Sequence, residues 1–227
     1  MLAYDVGMNN GDDSRYYLGK GYDVVAIEAN PALCAEVGAA LHEYVEHGRL
    51  RILNLAVAEA DGTMEFHVDV DNDARSSLLP QEGQQTRPVT VEARKLSHVI
   101  REHGVPDFIK IDVEHVDKVV LHDLIDAGMR PASISAEAHK FEILLLLWQM
   151  GYREFRLLNG RTVHLEYRNV PITRVDGSTY TYSFPRHSAG PFGDDLPTPW
   201  RGIQHVAAEW LHRHALFGSG WFDVHAR

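Results

Sequence analysis

The sequence contains a single cysteine, Cys34, so no disulfide can form within the chain. One cysteine in 227 residues is typical of a protein that folds in a reducing compartment, and we expect a cytoplasmic protein. Basic residues are also scarce, because 22 lysines and arginines stand against 32 acidic residues and give a formal net charge of −10. Nucleic-acid binders and proteins of anionic membrane surfaces present a basic face, so we expect neither kind of partner.

Long apolar runs are missing as well. The longest, residues 143–148, is far shorter than the ~20 residues of a membrane-spanning helix. Residues 1–6 already have the pattern of a core strand, so we expect no signal peptide ahead of the fold. With 44% hydrophobic and 24% charged residues, the composition is that of a folded globular domain.

Strand-like apolar runs alternate with helix-like segments through most of the chain. This order predicts an α/β fold with a mostly parallel sheet and helices on both faces. The predicted strands are residues 2–6, 24–28, 51–57, 108–113 and 132–138, with extra extended pieces at 63–68 and 89–93. The predicted helices are residues 13–20, 30–47, 95–103, 116–127 and 140–150. Residues 69–85 are polar and predict a loop.

The C-terminal part has a different pattern. Asn159-Gly160, between apolar residues 155–158 and 162–167, predicts a β-hairpin that forms an antiparallel edge of the sheet. Five prolines within residues 171–202 predict a long loop or lid, and residues 202–217 predict a final helix. We therefore expect residues 1–170 to form the main domain, with residues 171–227 adding a lid and a helix to it.

Three segments at predicted strand ends carry polar residues of interest. The heptapeptide DVGMNNG at residues 5–11 follows the first strand, and its glycines let a ligand approach the backbone closely. Its spacing is neither G-x-G-x-x-G nor a P-loop, and Asp5 would repel a pyrophosphate but attract an ammonium group. The alternative is a plain tight turn that needs glycine.

Glu28 and Asp112 end the second and fourth long strands. An acid at the position of Glu28 can accept hydrogen bonds from both hydroxyls of a ribose, although a helix N-terminus would favour an acid there too. Asp112 should face the same crevice as the glycine turn, unless it only caps the following helix.

Five sequence motifs follow one another along the chain: YDVGMNNG (residues 4–11), AIEANP (26–31), NLA (54–56), SSL (76–78) and DFIKIDVE (107–114). In their order and spacing they resemble the FkbM family of S-adenosylmethionine-dependent methyltransferases. The resemblance implies a Rossmann-like class I methyltransferase fold with a seven-stranded sheet, and O-methylation of a sugar, a polysaccharide end or a natural product.

The resemblance also implies roles for individual residues. Asp5, Gly7 and Gly11 would contact the methionine part of S-adenosylmethionine, and Asn10 belongs to the same turn. Glu28 would hold the ribose, Ala56 and Val57 would lie near the adenine, and Asp112 would lie near the reacting centre.

The chain departs from the family pattern in two places. His115 stands where a small residue, often glycine, usually follows the acid of Asp-Val-Glu, while Asp117 matches the second acid. The chain also starts directly in the first strand, without the helices that commonly cap the cofactor. Either the C-terminal region or a partner subunit, for example in a homodimer, would then supply the cap.

Glu137-Ala138-His139 follows the fifth predicted strand. An imidazole titrates near neutral pH and suits the removal of a hydroxyl proton, so we expect His139, with Asp112 nearby, to act as the base without a metal. Glu137, His139 and Asp112 could instead bind a divalent metal, or His139 could only pack against the next helix.

Two other functions remain open at this point. A nicotinamide-dependent oxidoreductase could use a similar sheet, although the glycine spacing and Asp5 argue against it. A domain that keeps the fold only for binding is the other alternative, and the change at His115 leaves it open.

Overall fold

Helices and strands alternate along the chain in the computed structural model, which describes residues 1–71, 76–79, 83–217 and 221–227. The strands are β1 (Leu2–Val6), β2 (Asp23–Glu28), β3 (Leu50–Asn54), β4 (Ala56–Val57), β5 (Gly62–Asp69), β6 (Thr86–Arg94), β7 (Phe108–Ile111), β8 (Ser133–Glu137), β9 (Phe155–Asn159), β10 (Val170–Thr173), β11 (Thr179–Tyr182) and β12 (Phe222–Ala226). The helices are α1 (Asp12–Lys20), α2 (Pro31–Ala40), α3 (His42–Glu46), α4 (Leu96–His103), α5 (Asp117–Asp126), α6 (Phe141–Gln149), α7 (Val163–Glu166) and α8 (Ile203–Phe217).

Seven strands form the main sheet in the order β3-β2-β1-β7-β8-β12-β9. Strand β12 is antiparallel to both of its neighbours, and the pairs from β3 to β8 are parallel. This confirms the predicted α/β class and the mostly parallel seven-stranded sheet. The chain moves outward from β1 to β3 and then returns to β7, so a topological switch point lies between β1 and β7.

The two faces of the sheet have separate cores because successive strand residues point to opposite sides. Tyr4 and Val6 of β1 lie in the core formed with α4, α5, α6 and α8. Ala3 of the same strand lies in the other core, with α1 and α2. Helices therefore cover both faces, as the sequence pattern predicts.

The hairpin predicted at Asn159-Gly160 is wrong. After β9 the chain forms the short helix α7, and β9 pairs instead with β12, more than 60 residues later. Gly160 has another role, since a Cβ atom there would lie 2.4 Å from the ring of Trp221. The Asn-Gly signal therefore marks a close approach of an aromatic ring, and the antiparallel strand comes from the C-terminal end of the described chain.

Residues 171–202 are more ordered than the predicted loop. Strands β10 and β11 form an antiparallel pair, and Ile172, Phe184 and Phe192 are buried in the second core. The ring of Phe192 stacks on Phe108 of β7 with centroids 3.8 Å apart. Burying one such side chain stabilises the fold by ~1.5–3 kcal/mol, so this segment is a structural layer of the domain.

The remaining predictions concern smaller elements. The extra extended pieces form β5 and β6 of a three-stranded sheet with β4, and the predicted final helix is α8. Of the loop predicted at residues 69–85, residues 72–75 and 80–82 lie outside the described residues. Within the described ranges, no helix is both long enough and apolar enough to cross a membrane.

Candidate active site

A cavity of about 490 Å³ opens at the carboxyl ends of β1, β2, β7 and β8, beside the switch point. This volume lies within the ~300–1,000 Å³ of typical small-molecule sites. Six of the eight predicted cofactor-binding residues line it: Gly7, Asn10, Glu28, Ala56, Val57 and Asp112. The parallel strands bring them together from positions up to about a hundred residues apart because their carboxyl ends meet at one edge.

The turn after β1 forms the floor of the cavity. Gly7 has φ +83°, and a Cβ atom there would lie 1.8 Å from the carbonyl oxygen of Asp112. The backbone N–H groups of Gly7 and Met8 both donate to the carbonyl of Ile27, at 3.0 Å. Only glycine fits this close approach of β1 to β7, so the turn requires the residue that the sequence analysis emphasised.

Glu28 ends β2 with its carboxylate held by the backbone. Its Oε2 accepts from the N–H of Asn9 at 2.9 Å, and its Oε1 accepts from the N–H of Asn30 at 2.8 Å. Burial raises the pKa of this carboxyl, and the two backbone donors oppose the shift. A carboxylate has about four acceptor positions, so about two remain for a ligand with paired hydroxyls such as a ribose.

A buried lysine lies under the centre of the cavity. Lys110 Nζ donates to the carbonyl of Gly7 at 2.9 Å and lies 3.4 Å from carboxylate oxygens of Asp5, Asp13 and Asp112. Burial lowers the pKa of Lys110, but the three carboxylates outweigh it and hold the pKa well above its usual value. The sequence contained one signal for this group, a lysine inside an otherwise apolar strand.

Two of the predicted cofactor residues are not among those that line the cavity. Asp5 is fully buried behind the turn, where its Oδ2 accepts from Ser14 Oγ at 2.6 Å. Gly11 precedes α1 with φ +76°, and a Cβ atom there would lie 2.8 Å from Val37 of α2. Asp5 therefore acts on the cavity through Lys110, and Gly11 allows two helices to approach.

One end of the cavity is apolar. Ala56 and Val57 lie there with Leu55, Phe66 and Leu78. Such a surface suits a flat aromatic base such as adenine, because it removes the apolar faces of the ring from water.

Acidic groups concentrate at the opposite end. Glu137, at the end of β8, lines the cavity and is only 5% exposed, and its Oε2 lies 2.9 Å from Nε2 of His139. Burial, followed by the charges of Asp112 and Asp117, raises the pKa of Glu137 well above its usual value. His139 is not among the residues that line the cavity, but it contacts Glu137, which does line it.

Three residues from the C-terminal part complete the wall, and sequence reasoning missed them: Arg161, His187 and Trp221. The ring of Trp221 packs over Gly160 and stacks with His187 at a centroid distance of 6.0 Å. This part of the chain therefore contributes to the wall of the cavity, and what caps the cofactor stays a prediction.

Asp13 anchors the segment that carries His187. Its Oδ1 accepts from Ser188 Oγ at 2.6 Å and from the N–H of Ala189 at 3.1 Å. Burial raises the pKa of Asp13 to about 6, although Lys110 and these hydrogen bonds oppose the shift. The wall is therefore tied to the same buried charges that support the floor.

The backbone at His115 has an unusual conformation. His115 has φ +72°, in the left-handed region that glycine tolerates best. Asp117, two residues later, accepts from the N–H of Val113 at 3.1 Å and stabilises the same turn. A histidine thus occupies a backbone conformation that favours glycine.

Solved structures with some likeness to this chain include methyltransferases. Methyltransferase FkbM from Methylobacillus flagellatus KT is 18% identical, with a TM-score of 0.43, over 60% of this chain and 32% of its own. The precorrin-6y C5,15-methyltransferase of Geobacter metallireducens GS-15 is 11% identical, with a TM-score of 0.42, over 100% of this chain and 78% of its own.

The assignment of the chain to a family rests on comparison with families of protein sequences. Comparison with curated protein sequences gives no match. The family described as Methyltransferase FkbM domain matches residues 5–154, more than half of the chain, from β1 to the residues after α6. This confirms the resemblance and the enzyme class that it implied, and the chain belongs to the FkbM family of methyltransferases.

Proposed function

We propose that this protein transfers the methyl group of S-adenosylmethionine to a hydroxyl oxygen of a sugar, a polysaccharide end or a natural product. The observation that carries the proposal is the cavity at the switch point, with the Glu28 carboxylate beside the glycine turn and an apolar wall at Ala56 and Val57. S-adenosylmethionine supplies an electrophilic methyl group when it is bound.

The residues present suit this cofactor. Glu28 keeps acceptor positions for the two ribose hydroxyls, and the wall around Ala56 and Val57 suits the adenine. Asp112 and Asp13 also line the cavity, and they offer carboxylates to the ammonium group of the methionine part. Asn10 and Gly7 place the backbone of the turn against the same part of the ligand.

The acceptor is proposed to enter between the acidic end and the C-terminal wall. The indole of Trp221, which lines the cavity, offers an apolar surface to the C–H groups of a sugar ring or of an apolar natural product. Arg161 and His187 offer hydrogen-bond donors to its oxygens. We place this reaction in the cytoplasm, on the basis of the lone cysteine, with neither nucleic acid nor membrane as partner.

Deprotonation of the acceptor is assigned to the region of Asp112 and His139. Alignment of the hydroxyl with the methyl group supplies part of the rate, and removal of its proton supplies a further ~10²–10⁴-fold. That His139 does this as a free base, without a metal, stays a prediction from the sequence. The geometry around Glu137 favours a different arrangement.

Calorimetry with S-adenosylhomocysteine and with NADH tests the cofactor class. We expect the first ligand to bind and the second not to bind, and the reverse result would favour an oxidoreductase. Incubation with S-adenosylmethionine and a panel of hydroxyl acceptors, followed by mass spectrometry, then tests transfer to oxygen. Cofactor binding with no product from any acceptor would favour a non-catalytic domain.

A further inference from the structure

We propose that Glu114, Glu137 and His139 bind a divalent metal ion at the acidic end of the cavity. One ligand atom from each of the three side chains lies within 4.8 Å of the other two. Two carboxylates and an imidazole are a donor set that Mn²⁺ or Zn²⁺ accepts, and a set with more oxygen donors suits Mg²⁺. Asp112, which the sequence analysis considered as a ligand, is replaced by Glu114 in this group.

The distances suit an ion between the side chains. Ligand atoms at ~2.0–2.2 Å from a metal stand ~3–4 Å apart, and Oε2 of Glu137 is already 2.9 Å from Nε2 of His139. Modest rotamer adjustments would bring the three ligand atoms to coordination distance. Glu137 is held at the end of β8, and His139 follows it by two residues, so both side chains point to the same side of the strand end.

A second observation points to the same place. Oε2 of Glu137 is buried and has no hydrogen-bond partner among the described residues, although Nε2 of His139 is only 2.9 Å away. The ring of His139 is therefore not aligned for a hydrogen bond to this oxygen, although the two atoms are in contact. A buried carboxylate oxygen without a donor costs ~1–3 kcal/mol or more, and a cation would satisfy it.

The acidic groups around Glu137 also favour a cation. Glu114, Asp112 and Asp117 all act electrostatically on Glu137, and Asp223 of β12 faces the same group. Lys110 lies 3.4 Å from Asp112 and offsets part of this charge, but Asp5 and Asp13 share the same ammonium group at the same distance. Several acids in a poorly hydrated site repel each other strongly, and a divalent ion removes that repulsion.

The ion would have a direct use in the reaction, and this step rests on the proposed function. Three protein ligands leave coordination positions for the acceptor hydroxyl, whose pKa the ion lowers. The hydroxyl O–H bond then breaks with the proton passing to water, and the oxygen forms a bond to the methyl carbon. The C–S bond breaks with its electron pair staying on sulfur, which gives the methyl ether and S-adenosylhomocysteine. This route differs from the metal-free base expected from the sequence.

Mn²⁺ binding to the full chain, measured by electron paramagnetic resonance, tests the inference without any need for turnover. We expect one saturable site in the wild type and at least tenfold weaker binding in Glu137→Gln and in His139→Ala. Glu142, whose side chain is 45% exposed, and the exposed His122 provide the matched controls Glu142→Gln and His122→Ala, which should bind Mn²⁺ like the wild type. Competition by Zn²⁺ and by Mg²⁺ identifies the preferred ion.

The outcomes separate this inference from the proposed function. No saturable binding of Mn²⁺, Zn²⁺ or Mg²⁺ to the wild type would overturn the inference, as would wild-type affinity in His139→Ala. His139 is partly exposed, so its variant tests the site even if Glu137→Gln fails to fold. Calorimetry with S-adenosylhomocysteine runs in parallel. Cofactor binding without metal binding overturns only the metal site, and metal binding without cofactor binding supports the metal site but overturns the methyl-transfer proposal.

Discussion

Glu28 and Glu137 are carboxylates in comparable positions with opposite surroundings. Each is the last residue of a parallel strand, each lines the same cavity, and each is less than 10% exposed. Both oxygens of Glu28 accept from backbone N–H groups, whereas Oε2 of Glu137 has no hydrogen-bond partner among the described residues.

The difference comes from the chain that follows each strand. Asn30-Pro31 starts α2 immediately after β2, and that turn directs the Asn30 N–H at Glu28. After β8 the helix begins only at Phe141, and Nε2 of His139 lies 2.9 Å from Oε2 of Glu137. This difference is the reason why we propose hydroxyl donors as ligands at one end of the cavity and a cation at the other.

The largest effect should come from Gly7→Ala, which disturbs both ends because Gly7 joins the ends of β2 and β7. A Cβ atom 1.8 Å from the Asp112 carbonyl must move backbone, and φ +83° strains an alanine further. We expect a loss of at least about 3 kcal/mol in the free energy of unfolding, measured in urea. Gly48 has φ +69°, and a Cβ atom there would lie in open space, so Gly48→Ala measures the backbone strain alone. This variant should lose only ~1 kcal/mol in the free energy of unfolding. Equal losses would contradict the close-approach argument.

Glu28→Gln and Glu137→Gln should separate the two carboxylates. Glu28→Gln replaces a charged acceptor by an amide, so calorimetry should show at least tenfold weaker binding of S-adenosylhomocysteine, about 1.5–3 kcal/mol. Glu137→Gln should leave this affinity within about twofold of wild type, because the acidic end does not hold the ribose. If both variants bound the cofactor equally, the two ends would not have distinct roles.

Asp13, one of the three carboxylates around Lys110, should make the stability of the fold depend on pH. The pKa of Asp13 is raised to about 6, so the folded protein binds more protons than the unfolded chain between about pH 4 and pH 6. Stability should therefore fall as the pH rises through this window. We expect the wild type to lose on the order of 1–2 kcal/mol more than Asp13→Asn between pH 4 and pH 7, measured by urea unfolding. Glu36→Gln, at an exposed position, is the control, and parallel profiles of wild type and Asp13→Asn would refute the assignment.

The smallest effect should come from His115→Gly, which changes only the acidic end. Relief of the left-handed strain is worth ~1–2 kcal/mol, and the extra freedom of glycine in the unfolded chain offsets ~0.5–1 kcal/mol of it. We expect a gain of less than about 1 kcal/mol in the free energy of unfolding. His115→Ala keeps the strain and should show no gain, so an alanine variant more stable than the glycine variant would contradict the backbone argument.

The amino-acid sequence by itself determined the parts of this protein that depend on neighbours along the chain. Apolar periodicity predicted the strands and helices, the heptapeptide at residues 5–11 predicted the glycine turn, and Asn30-Pro31 predicted the start of α2. Glu28 and Asp112 could be placed on the cavity because parallel strands end at one edge of a sheet. These inferences need only local patterns and one topological rule.

Only the tertiary structure decided how distant segments meet. It placed β12 between β8 and β9, brought Trp221 and His187 to the wall, and set Lys110 among three carboxylates. The grouping of Glu114 with Glu137 and His139 is of the same kind. Such contacts join residues up to about 175 positions apart, and strand pairing and packing over the whole sheet select them, so no local pattern in the sequence encodes them.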